Sequence, residues 1–596
     1  MKNPLTNRRT IRRAGGALAA LASVALVAAC GTGAASVTGA ANGSTSSSST
    51  GSSGSSSSET SATVWTEISA QTASASTGAS AATINSANAE VAADSTAAED
   101  AGTYEASSAT TITLSGTSAS VAGSGSSGAA GASVDGSTVT ISAAGTYVIS
   151  GELTDGEIIV AAPDADVRLI LAGATITNAD GPAIDIQDAG TAVVTLASGT
   201  TNSLSDGATY ADTSEGAASA ALFSSDTLTI TGTGSLTVNG AYQDGIASKN
   251  GLVITGAPTI TVTAADDAIR GKDYLAINSG TITVTAGGDG LKSNEDDDET
   301  KGFVRLGAAT ITVTSTDDGV AAATDVTVEG TTLSITAGGG QANAVPEEKS
   351  GPGQQQSSAT DSTASTTPSP KGINAGVSFT QDSGTVTIDA ADEGAQAAFV
   401  NVSGGALRIA SGDDGINTSN GDHTIGGYGE VDSESNDGSV LTISGGEVQV
   451  SNAGSDGLDS NGSAHVTGGT VLVSGSAGSM DGAVDANGET TLIGASASTA
   501  VAAGDTVTVT DSSGTATTAT AAFSASSFTV LGLTEGTTYT VSTTSGGSTS
   551  LAATALTTGG GPGGGPGGMP GPDGAPGGPG DGQAPGNAPA APGSGS

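Results

Sequence analysis

Apolar and polar residues alternate one by one in many short segments of the chain. Residues 281–285 read Thr-Ile-Thr-Val-Thr, residues 310–314 repeat those five letters, and residues 385–388 read Thr-Val-Thr-Ile. Strict alternation with β-branched residues predicts strands that bury one face, and no segment shows helical spacing. We therefore predict an all-β protein whose inward-facing side chains include Ile282, Val284, Ile311, Val313, Val386 and Ile388.

A short acidic turn recurs between these segments. An acidic residue, a small residue and an apolar residue follow one another in eight places, beginning at Asp244, Asp267, Asp289, Asp318, Glu393, Asp414, Asp456 and Asp481. Several successive copies lie 21 to 25 residues apart. A fixed period in this range is typical of a solenoid, in which stacked repeats bury the apolar face that one repeat cannot bury alone. The period predicts a single-chain parallel β-helix with two or three strands per coil. The alternative, an antiparallel sandwich, does not require the turn to return in register.

The first 29 residues have the features of a lipoprotein signal peptide. Four arginines between Arg8 and Arg13 precede a short apolar run that ends in Val-Ala-Ala-Cys-Gly at residues 27–31. Cys30 is the sole cysteine, and its place at this junction predicts that it becomes the lipid-modified first residue after export. A membrane span is the alternative, but the run is too short for it. We expect anchoring to the outer face of the cell membrane, after export by the general secretory or the twin-arginine route.

Composition divides the rest of the chain into segments. Residues 30–104 are rich in Ser, Thr and Ala, which predicts a flexible tether, and residues 558–596 form a Gly/Pro-rich tail that predicts disorder. The repeats occupy residues 105–489 and are interrupted by a low-complexity loop insertion at 338–370. Residues 490–557 alternate again without the acidic turn, which predicts a small β-cap on an otherwise open sheet end.

The charge of the chain excludes one class of partner. The sequence has 59 acidic and 15 basic residues, and five of the basic residues precede Cys30. The mature chain would therefore carry a net charge of about −49, which repels nucleic acids and anionic headgroups. We expect no nucleic-acid partner, no intrachain disulfide, and a monomer.

The acidic turns are candidates for calcium ligation. Stacked coils would bring the turn acids of neighbouring repeats within about 4.8 Å, where like charges need neutralisation. Calcium prefers six to eight hard oxygen ligands, and paired carboxylates supply them. The candidate ligands are Asp244, Asp266, Asp267, Asp289, Asp317, Asp318, Asp413 and Asp414. The alternative is that each acid only stabilises its own turn.

Four basic residues share offsets from successive turn acids. Lys249 and Lys272 each follow their turn acid by five positions, whereas Arg270 and Lys292 follow theirs by three. Equal offsets predict a cationic stripe beside the carboxylates, able to bind a polymer that carries carboxylates. The alternative is that these cations only neutralise neighbouring aspartates. Tyr242 and Tyr274 lie near the stripe and could stack on a sugar ring or serve in turn packing.

No common catalytic motif can be built from the sequence. The two histidines, His423 and His465, are too far apart in the repeat to suggest a pair. No Ser/His/Asp triad, phosphate-binding loop or zinc spacing is present.

Several ordered motifs of the chain resemble those of a known family. They lie at residues 145–153, 178–184, 244–249, 265–272 and 287–293, the last reading Gly-Gly-Asp-Gly-Leu-Lys-Ser. Together they resemble the bacterial carbohydrate-binding-domain lipoproteins over about residues 105–490. The resemblance implies a pectate-lyase-like right-handed β-helix that binds calcium and polysaccharides such as polygalacturonate and cellulose. It also implies a binder without turnover.

The chain departs from the family pattern in its later repeats. Lys371 stands where a turn acid is expected, Glu393 replaces aspartate, and Ser455 and Met480 replace the first acid of a pair. We therefore expect less calcium in the later coils than in the early ones.

Three classes of function follow. The first is a lipid-anchored, calcium-dependent binder of acidic or plant-type polysaccharide. The second is a calcium-dependent polysaccharide lyase, with Arg270 or Lys272 as the base. The third is a structural surface protein or adhesin whose calcium only stiffens the solenoid.

Overall fold

The structure is a computed structural model that describes residues 67–87, 108–123, 131–344, 369–429, 435–475 and 482–556. All of them lie in one compact unit, Ala62–Ser596. The predicted signal peptide, Cys30, the tail and most of the 338–370 insertion lie outside the described residues.

The described residues are mostly strands, as the alternation predicts. The first part of the chain contains β1 (Glu67–Ile68), α1 (Ala70–Ser76), α2 (Ala81–Ala87), β2 (Thr110–Gly116), β3 (Ser118–Ala122), β4 (Ala132–Asp135), β5 (Thr138–Ile141), β6 (Gly145–Leu153), β7 (Glu157–Thr177), β8 (Ile184–Leu196), β9 (Thr201–Ser205), β10 (Ala220–Ser224), β11 (Leu228–Gly232) and β12 (Ser235–Gly240). The middle part contains β13 (Asp244–Ser248), β14 (Gly251–Ile254), β15 (Thr259–Ala264), β16 (Ile269–Gly271), β17 (Tyr274–Ala286), β18 (Leu291–Ser293), β19 (Phe303–Ser315), β20 (Val320–Ala322), β21 (Asp325–Val328), β22 (Thr332–Ala337), a 3-10 helix (Gln341–Asn343), β23 (Ile373–Gln381), β24 (Thr385–Ala390), β25 (Ala395–Val402), β26 (Ala406–Ser411), β27 (Ile416–Thr418) and β28 (Thr424–Ile425). The last part contains β29 (Val440–Ile443), β30 (Glu447–Asn452), β31 (Leu458–Ser460), β32 (Ser463–Val466), β33 (Thr470–Ser474), β34 (Thr490–Thr491), β35 (Ile493–Ala497), β36 (Thr506–Asp511), β37 (Ala516–Thr520), β38 (Phe528–Leu531), β39 (Thr538–Thr543), β40 (Gly547–Ala552) and β41 (Thr554–Ala555).

Most of these strands belong to one sheet of 35 strands, in which each repeat contributes three strands. The strand after each acidic turn pairs in parallel with its counterpart in the next repeat, and we call this series of strands the first ladder. It consists of β13, β16, β18, β20, the starts of β23 and β25, β27 and β31. The second ladder runs parallel through β14, the starts of β17 and β19, β21, the ends of β23 and β25, β29 and β32. The third runs through β15, the ends of β17 and β19, β22, β24, β26, β30 and β33.

Identical register along the third ladder stacks like residues on like. Ile282 pairs with Ile311, and Ile311 pairs with Leu333 of the following repeat. The six side chains predicted to face inward are all buried, at 1% exposure or less. The intervening threonines face outward, and Thr312 is exposed. The alternation therefore predicted both the strands and the face that they bury.

The turn before each third-ladder strand depends on glycine. Gly384 has φ of +90°, which side-chain-bearing residues rarely adopt. A β-carbon at this position would also collide with the carbonyl oxygen of Thr331 in the preceding repeat. Glycine at this position thus lets successive coils approach closely.

Insertions between repeats lie at corners and leave the ladders in register. Residues 419–439 connect β27 to β29, yet Asn417 of β27 still pairs with Asp459 of β31. Residues 338–372 connect β22 to β23, and Leu333 still pairs with Val386. The C-terminal strands β37, β36, β39 and β40 form a separate antiparallel sheet, while β38 pairs antiparallel with β33 at the end of the third ladder.

Part of the segment predicted to be a flexible tether is folded onto the ladders. Residues Glu67–Ile68 pair in parallel with Thr424–Ile425, and helices α1 and α2 follow directly. Composition suggested a tether throughout residues 30–104, but Ile68 and Ile84 give residues 67–87 apolar side chains to bury. The prediction is wrong for these residues.

Helices are few and short within the described ranges. Neither seven-residue helix approaches the length of a membrane span, and no helix of the described residues is long and apolar enough to cross a membrane.

Candidate functional site

The acidic turns form two rows along the start of the first ladder. In the Asp266-Asp267 and Asp317-Asp318 pairs, the first acid is accessible and the second is buried. The second positions of successive turns stack as one inner acid row, which consists of the buried Asp244, Asp267, Asp289, Asp318, Asp414 and Asp456 and the partly exposed Glu393. Lys371 occupies the place between Asp318 and Glu393.

Carboxylates of the inner acid row bind the backbone of the next turn. The amide N–H of Asp289 donates to Asp267 Oδ1 at 3.0 Å, and that of Asp318 donates to Asp289 Oδ1 at 2.9 Å. The N–H of Lys371 donates to Asp318 at 2.8 Å, and that of Asp456 donates to Asp414 at 2.7 Å. A buried N–H needs an acceptor, so these acids have a structural role that exists without any metal.

The residue three positions after each turn acid forms a second row, which we call the donor row. Pairing along the first ladder places Arg270, Lys292, Ala321, Asn374, Gln396, Asn417 and Asp459 side by side in that order. Equal offsets therefore place Arg270 and Lys292 on neighbouring strands, as the sequence predicted.

Arg270 and Lys292 are bound to the inner acid row. The Arg270 guanidinium donates to Asp244 Oδ2 at 2.5 Å and lies 3.8 Å from Asp267. Lys292 Nζ lies 3.1 Å from Asp267 Oδ2 and 2.8 Å from Asp289 Oδ2. Two cations thus face three buried carboxylates, which agrees with the neutralising alternative for this part of the stripe.

Lys249 and Lys272 lie apart from that pair. Lys272 Nζ forms an ion pair with Glu295 at 2.8 Å, and this contact raises its pKa above the ordinary lysine value. Lys249 Nζ donates to the carbonyl oxygen of Gly216 and lies 5.5 Å from the centre of the Phe223 ring. The structure therefore does not bring all four cations to one row.

Burial raises the pKa of two acids of the inner row, Asp244 and Asp318. Desolvation raises the pKa of Asp244 to about 6 in spite of Arg270, and it raises the pKa of Asp318 to about 7. The pKa of Lys292 is also raised, because the charges of Asp289 and Asp267 outweigh its own desolvation. Asp267 and Asp289 thus hold the ammonium group of Lys292, and this group competes with any added cation for the two carboxylates.

Beyond Lys292 the donor row changes from cations to amides. Asn374 Nδ2 donates to Asp318 Oδ2 at 2.8 Å, and Asn417 Nδ2 donates to Glu393 Oε1 at 3.2 Å. Lys371 forms ion pairs with Asp392 and Glu393, although burial still raises the pKa of Glu393 to about 7.

Asp459 breaks the pattern at the end of the donor row. It stands where earlier repeats supply a cation or an amide, next to the buried Asp414. Burial and the charge of Asp485 raise the pKa of Asp459 to about 7, and burial and Asp459 raise that of Asp414. Asp456, Asp459 and Asp485 each offer an oxygen within 4.8 Å of the others. This donor set fits calcium, which would supply the missing positive charge.

Two other acidic groups fit calcium less well. Asp289, Asp317 and Asp318 approach one another within 4.8 Å, but Asp289 binds Lys292, and Asp318 accepts from Lys371 and Asn374. Glu295, Asp296 and Asp297 are equally close, but Glu295 is paired with Lys272.

A groove of about 630 Å³ lies along the middle of the donor row. Lys292, Ala321, Asn374 and Gln396 line one side of it, and residues 419–423 from the corner insertion line the other. Gln396 joins the two sides, because its Nε2 donates to Ser419 Oγ at 3.1 Å. Hydroxyl, amide and charged groups therefore converge on one space, whose lining also includes Asp289, Asp296, Asp318 and Asp422.

A smaller cavity of about 390 Å³ near the start of the ladders is acidic. Asp155, Glu157, Asp180, Asp185 and Asp212 line it, and burial together with Asp185 raises the pKa of Glu157. Such a lining repels an anionic sugar.

Tyr242 and Tyr274, for which the sequence left sugar stacking and turn packing open, differ in their surroundings. Tyr274 is only 2% exposed and stacks on Phe303 with 5.4 Å between ring centres, so it offers no ring face to a ligand. Tyr242 is half-buried and stacks on Tyr210 at 4.2 Å. The packing alternative describes Tyr274, because its ring pairs with an aromatic residue on the neighbouring strand.

Sequence reasoning missed the uncharged and late members of the site. Asn374, Gln396, Asn417 and Asp459 all stand three positions after a turn residue, the same offset that singled out Arg270 and Lys292. The sequence carries the same offset for uncharged and acidic residues as for cations, so the offset alone identifies all four. The groove-forming contact of residues 419–423 has no comparable signal.

Comparisons with known proteins give one family match and one similar solved structure. No curated protein matches the chain. Among solved structures, the chain is similar to a polysaccharide lyase-like protein from C. thermocellum, in its gadolinium derivative, at 30% identity. That match covers 39% of this chain and 92% of the other, with a TM-score of 0.36. A family model described as carbohydrate-binding domain-containing protein matches residues 135–415. The central repeats of the chain are thus similar to the carbohydrate-binding domain-containing protein family.

Proposed function

We propose that the chain is a non-catalytic, calcium-dependent polysaccharide-binding protein that holds its glycan in the groove along the donor row. The observation that carries the proposal is the groove itself, because Lys292, Ala321, Asn374 and Gln396 lie within the matched residues 135–415. The three ladders would form a right-handed parallel β-helix of the pectate-lyase type. The donor row would then lie along the axis of a bound polymer.

The groove suits a chain of sugar units. Neighbouring donor-row residues are one strand apart, about 4.8 Å, so a polymer lying along the row meets a new side chain at regular intervals. Amide groups at Asn374 and Gln396 can both donate to and accept from sugar hydroxyls. The small side chain of Ala321, between Lys292 and Asn374, leaves space for a ring.

Acidic glycans need help from a cation at this surface. Arg270 and Lys292 are already matched by three buried acids, so they do not reverse the local charge on their own. We propose calcium at Asp414, Asp456, Asp459 and Asp485, where four carboxylates, two of them buried, lie close together. This order is opposite to the one expected from the sequence, which favoured the early coils. Polygalacturonate binding would then depend on calcium, whereas a neutral glucan such as cellulose would contact the amides directly.

The contacts of the candidate bases do not favour a lyase. The Arg270 guanidinium is bound to Asp244, and Glu295 raises the pKa of Lys272, which keeps its proton in place. A general base must instead release its proton near neutral pH.

Export and lipid attachment at Cys30 would place the groove outside the cell. The signal at residues 1–29 and the cysteine at its end support this part of the proposal. A chain with one acyl-modified terminus and a soluble binding domain would hold polysaccharide at the outer face of the membrane.

A pull-down on insoluble polysaccharides tests the groove. The double variant Asn374→Ala/Gln396→Ala removes two donor-row amides, and Thr312→Ala removes an exposed hydroxyl from the third ladder as a matched control. We expect the double variant to lose binding by about tenfold or more, since each lost sugar hydrogen bond costs on the order of 1 kcal/mol. Equal binding by the double variant and the control would remove the groove from the proposal.

The same experiment separates the function classes. Polygalacturonate and cellulose are each presented with calcium and with chelator, and the absorbance of unsaturated product is followed. Calcium-dependent retention without product supports the binder. Product formation would assign the protein to the lyases, and no retention on any glycan would favour the structural role.

A further inference from the structure

The folded part of the N-terminal segment contacts the insertion that forms one side of the groove. Strand β1 pairs with β28, which lies in the insertion directly after the groove-lining residues 419–423. The N–H of Gly426 donates to the carbonyl oxygen of Ile68 at 2.7 Å. Residues 419–423 of this insertion therefore line the groove, and the two residues that follow them, Thr424–Ile425, pair with the N-terminal segment.

An apolar cluster outside the main core joins the segment to the ladders. Ile68 is fully buried and packs with Val377, Ala398, Phe399 and Ile425. Phe399 belongs to the second ladder but not to the main core, and it is 1% exposed. Without Ile68, this cluster would lose one of its five buried members, and the apolar contact that holds β28 would weaken.

Five hydrogen bonds fix the segment along the second ladder. The side-chain amide of Asn401 accepts from the N–H of Gly78 at 2.7 Å and donates to the carbonyl oxygen of Ser76 at 2.8 Å. The N–H of Ala81 donates to Asp382 at 2.8 Å. Asn85 donates to Glu329 at 2.8 Å and accepts from Thr327 at 2.9 Å.

The first half of the insertion has other contacts as well, among them the hydrogen bond from Gln396 to Ser419. The His423 ring lies close to Gly376, since a β-carbon added to Gly376 would come within 2.9 Å of His423 Nε2. The N–H of Asn420 donates to Asp437 at 2.9 Å. Both the insertion and residues 67–87 lie outside residues 135–415, so the contact between them is separate from the family match.

We propose that residues 67–87 are a positioning segment for the groove: by pairing with β28 and burying Ile68, they hold residues 419–423 in the place where these contact polysaccharide. The proposal rests on the proposed function for its binding role. Residues 67–87, a part of the predicted tether, would thus affect glycan affinity through the insertion, although they do not line the groove.

Hydrogen–deuterium exchange of the full chain, without glycan, tests the positioning. The variant Ile68→Asp places a charge in the apolar cluster, and Ala82→Asp adds the same charge at an exposed position of the same segment as its control. We expect exchange at residues 419–429 to rise about tenfold or more in Ile68→Asp, since local opening becomes easier when its apolar contacts are lost. Ala82→Asp should leave it unchanged. The milder Ile68→Ala, expected to show a smaller rise, replaces Ile68→Asp if that variant does not unfold cooperatively.

Binding of the same variants to the polysaccharide that wild type retains completes the test. The dissociation constant should rise with the exchange rate in the order Ala82→Asp, Ile68→Ala, Ile68→Asp. Unchanged exchange at residues 419–429 in both Ile68 variants would overturn the positioning contact. Faster exchange with unaltered affinity would overturn its role in binding. If wild type retains no polysaccharide at all, the proposed function fails, and the exchange result alone then decides whether the segment positions the insertion.

Discussion

At the scale of single residues, Lys292 has the largest electrostatic role in the early repeats. Its ammonium group lies between Asp267 and Asp289, and both carboxylates are buried. Replacing Lys292 by Met keeps the stem and removes the charge. We expect a loss of about 3 kcal/mol in the free energy of unfolding, since removing one partner leaves buried charges unpaired.

The control for this change is Lys272→Met. Lys272 forms an ion pair with Glu295, but its side chain is 40% exposed. We therefore expect this variant to lose less than about 1 kcal/mol in the free energy of unfolding. Urea unfolding of both variants measures the difference. Equal losses would show that Lys292 has no special role in neutralising the inner acid row.

Asp325 gives a prediction for pH. Burial raises its pKa from 3.8 to about 6, although Ser378 donates to its carboxylate. A raised carboxyl pKa means that the folded state binds the proton more tightly than the unfolded state does. The contribution to stability is therefore complete below the unfolded pKa and is lost as pH rises through about 6.

The variant Asp325→Asn should remove that dependence. For each protein, the free energy of unfolding is measured at pH 5 and at pH 8. The difference between the two values should be smaller in the variant than in wild type, by on the order of 2 kcal/mol. The variant should also be the more stable protein at pH 8. An identical pH profile for the two proteins would contradict the raised pKa.

At the scale of the strand, the third ladder predicts a sharp contrast between adjacent positions. Ile311 is 1% exposed in the core, whereas Thr312 is exposed on the outer face. Ile311→Asp should abolish cooperative unfolding, because an unpaired charge in a packed core costs several kcal/mol. Thr312→Asp, one residue along, should change the free energy of unfolding by less than about 1 kcal/mol. Thermal melts followed by circular dichroism compare them, and a cooperative Ile311→Asp variant would rule out this register.

Strand positions were predictable because the pattern that defines them is local. Alternation of Thr with Ile or Val in residues 310–314 determines which side chains face inward, and the spacing of the acidic turns determines which strands pair. The folded state of residues 67–87 was not predictable in this way. Its burial depends on Phe399 and Asn401, more than 300 positions away, and composition carries no information about such partners.

The candidate site was predictable only where the offset rule was combined with charge. Arg270 and Lys292 were found because equal offsets imply neighbouring strands. Whether a cation faces solvent or an acid depends on side-chain geometry, and the sequence left both possibilities open. The corner insertion at residues 419–423 joins the groove through a tertiary contact and has no periodic signal.

At the scale of the whole molecule, the excess of acidic residues leads us to predict that the stability of the folded protein depends on calcium. Asp414, Asp456 and Asp459 lie together and raise one another's electrostatic free energy, so an ion that binds only the folded state should raise the melting temperature. At 100 times its dissociation constant, calcium would add about 2.7 kcal/mol.

Differential scanning calorimetry in calcium and in chelator measures this effect. Asp459→Asn serves as the matched variant, since it supplies an amide where earlier repeats such as that of Asn417 have one. Its melting temperature in chelator should exceed that of wild type, and its response to calcium should be smaller. Coincident melting curves of wild type in the two conditions would contradict calcium binding.

The corners of the ladders have a consequence for how such a protein could diversify. Only Lys249 and Asn250 separate β13 from β14, whereas residues 419–439 separate β27 from β29, and both repeats keep their strands in the same register. The length and sequence of a corner can therefore change while the strands on either side keep their register. Replacing residues 419–439 with a two-residue corner should yield a folded protein with one open side to its groove. New corner sequences at this place offer a route to altered glycan preference, by evolution or by library selection, without redesign of the main core; only Ile425 of the smaller apolar cluster is replaced with the corner.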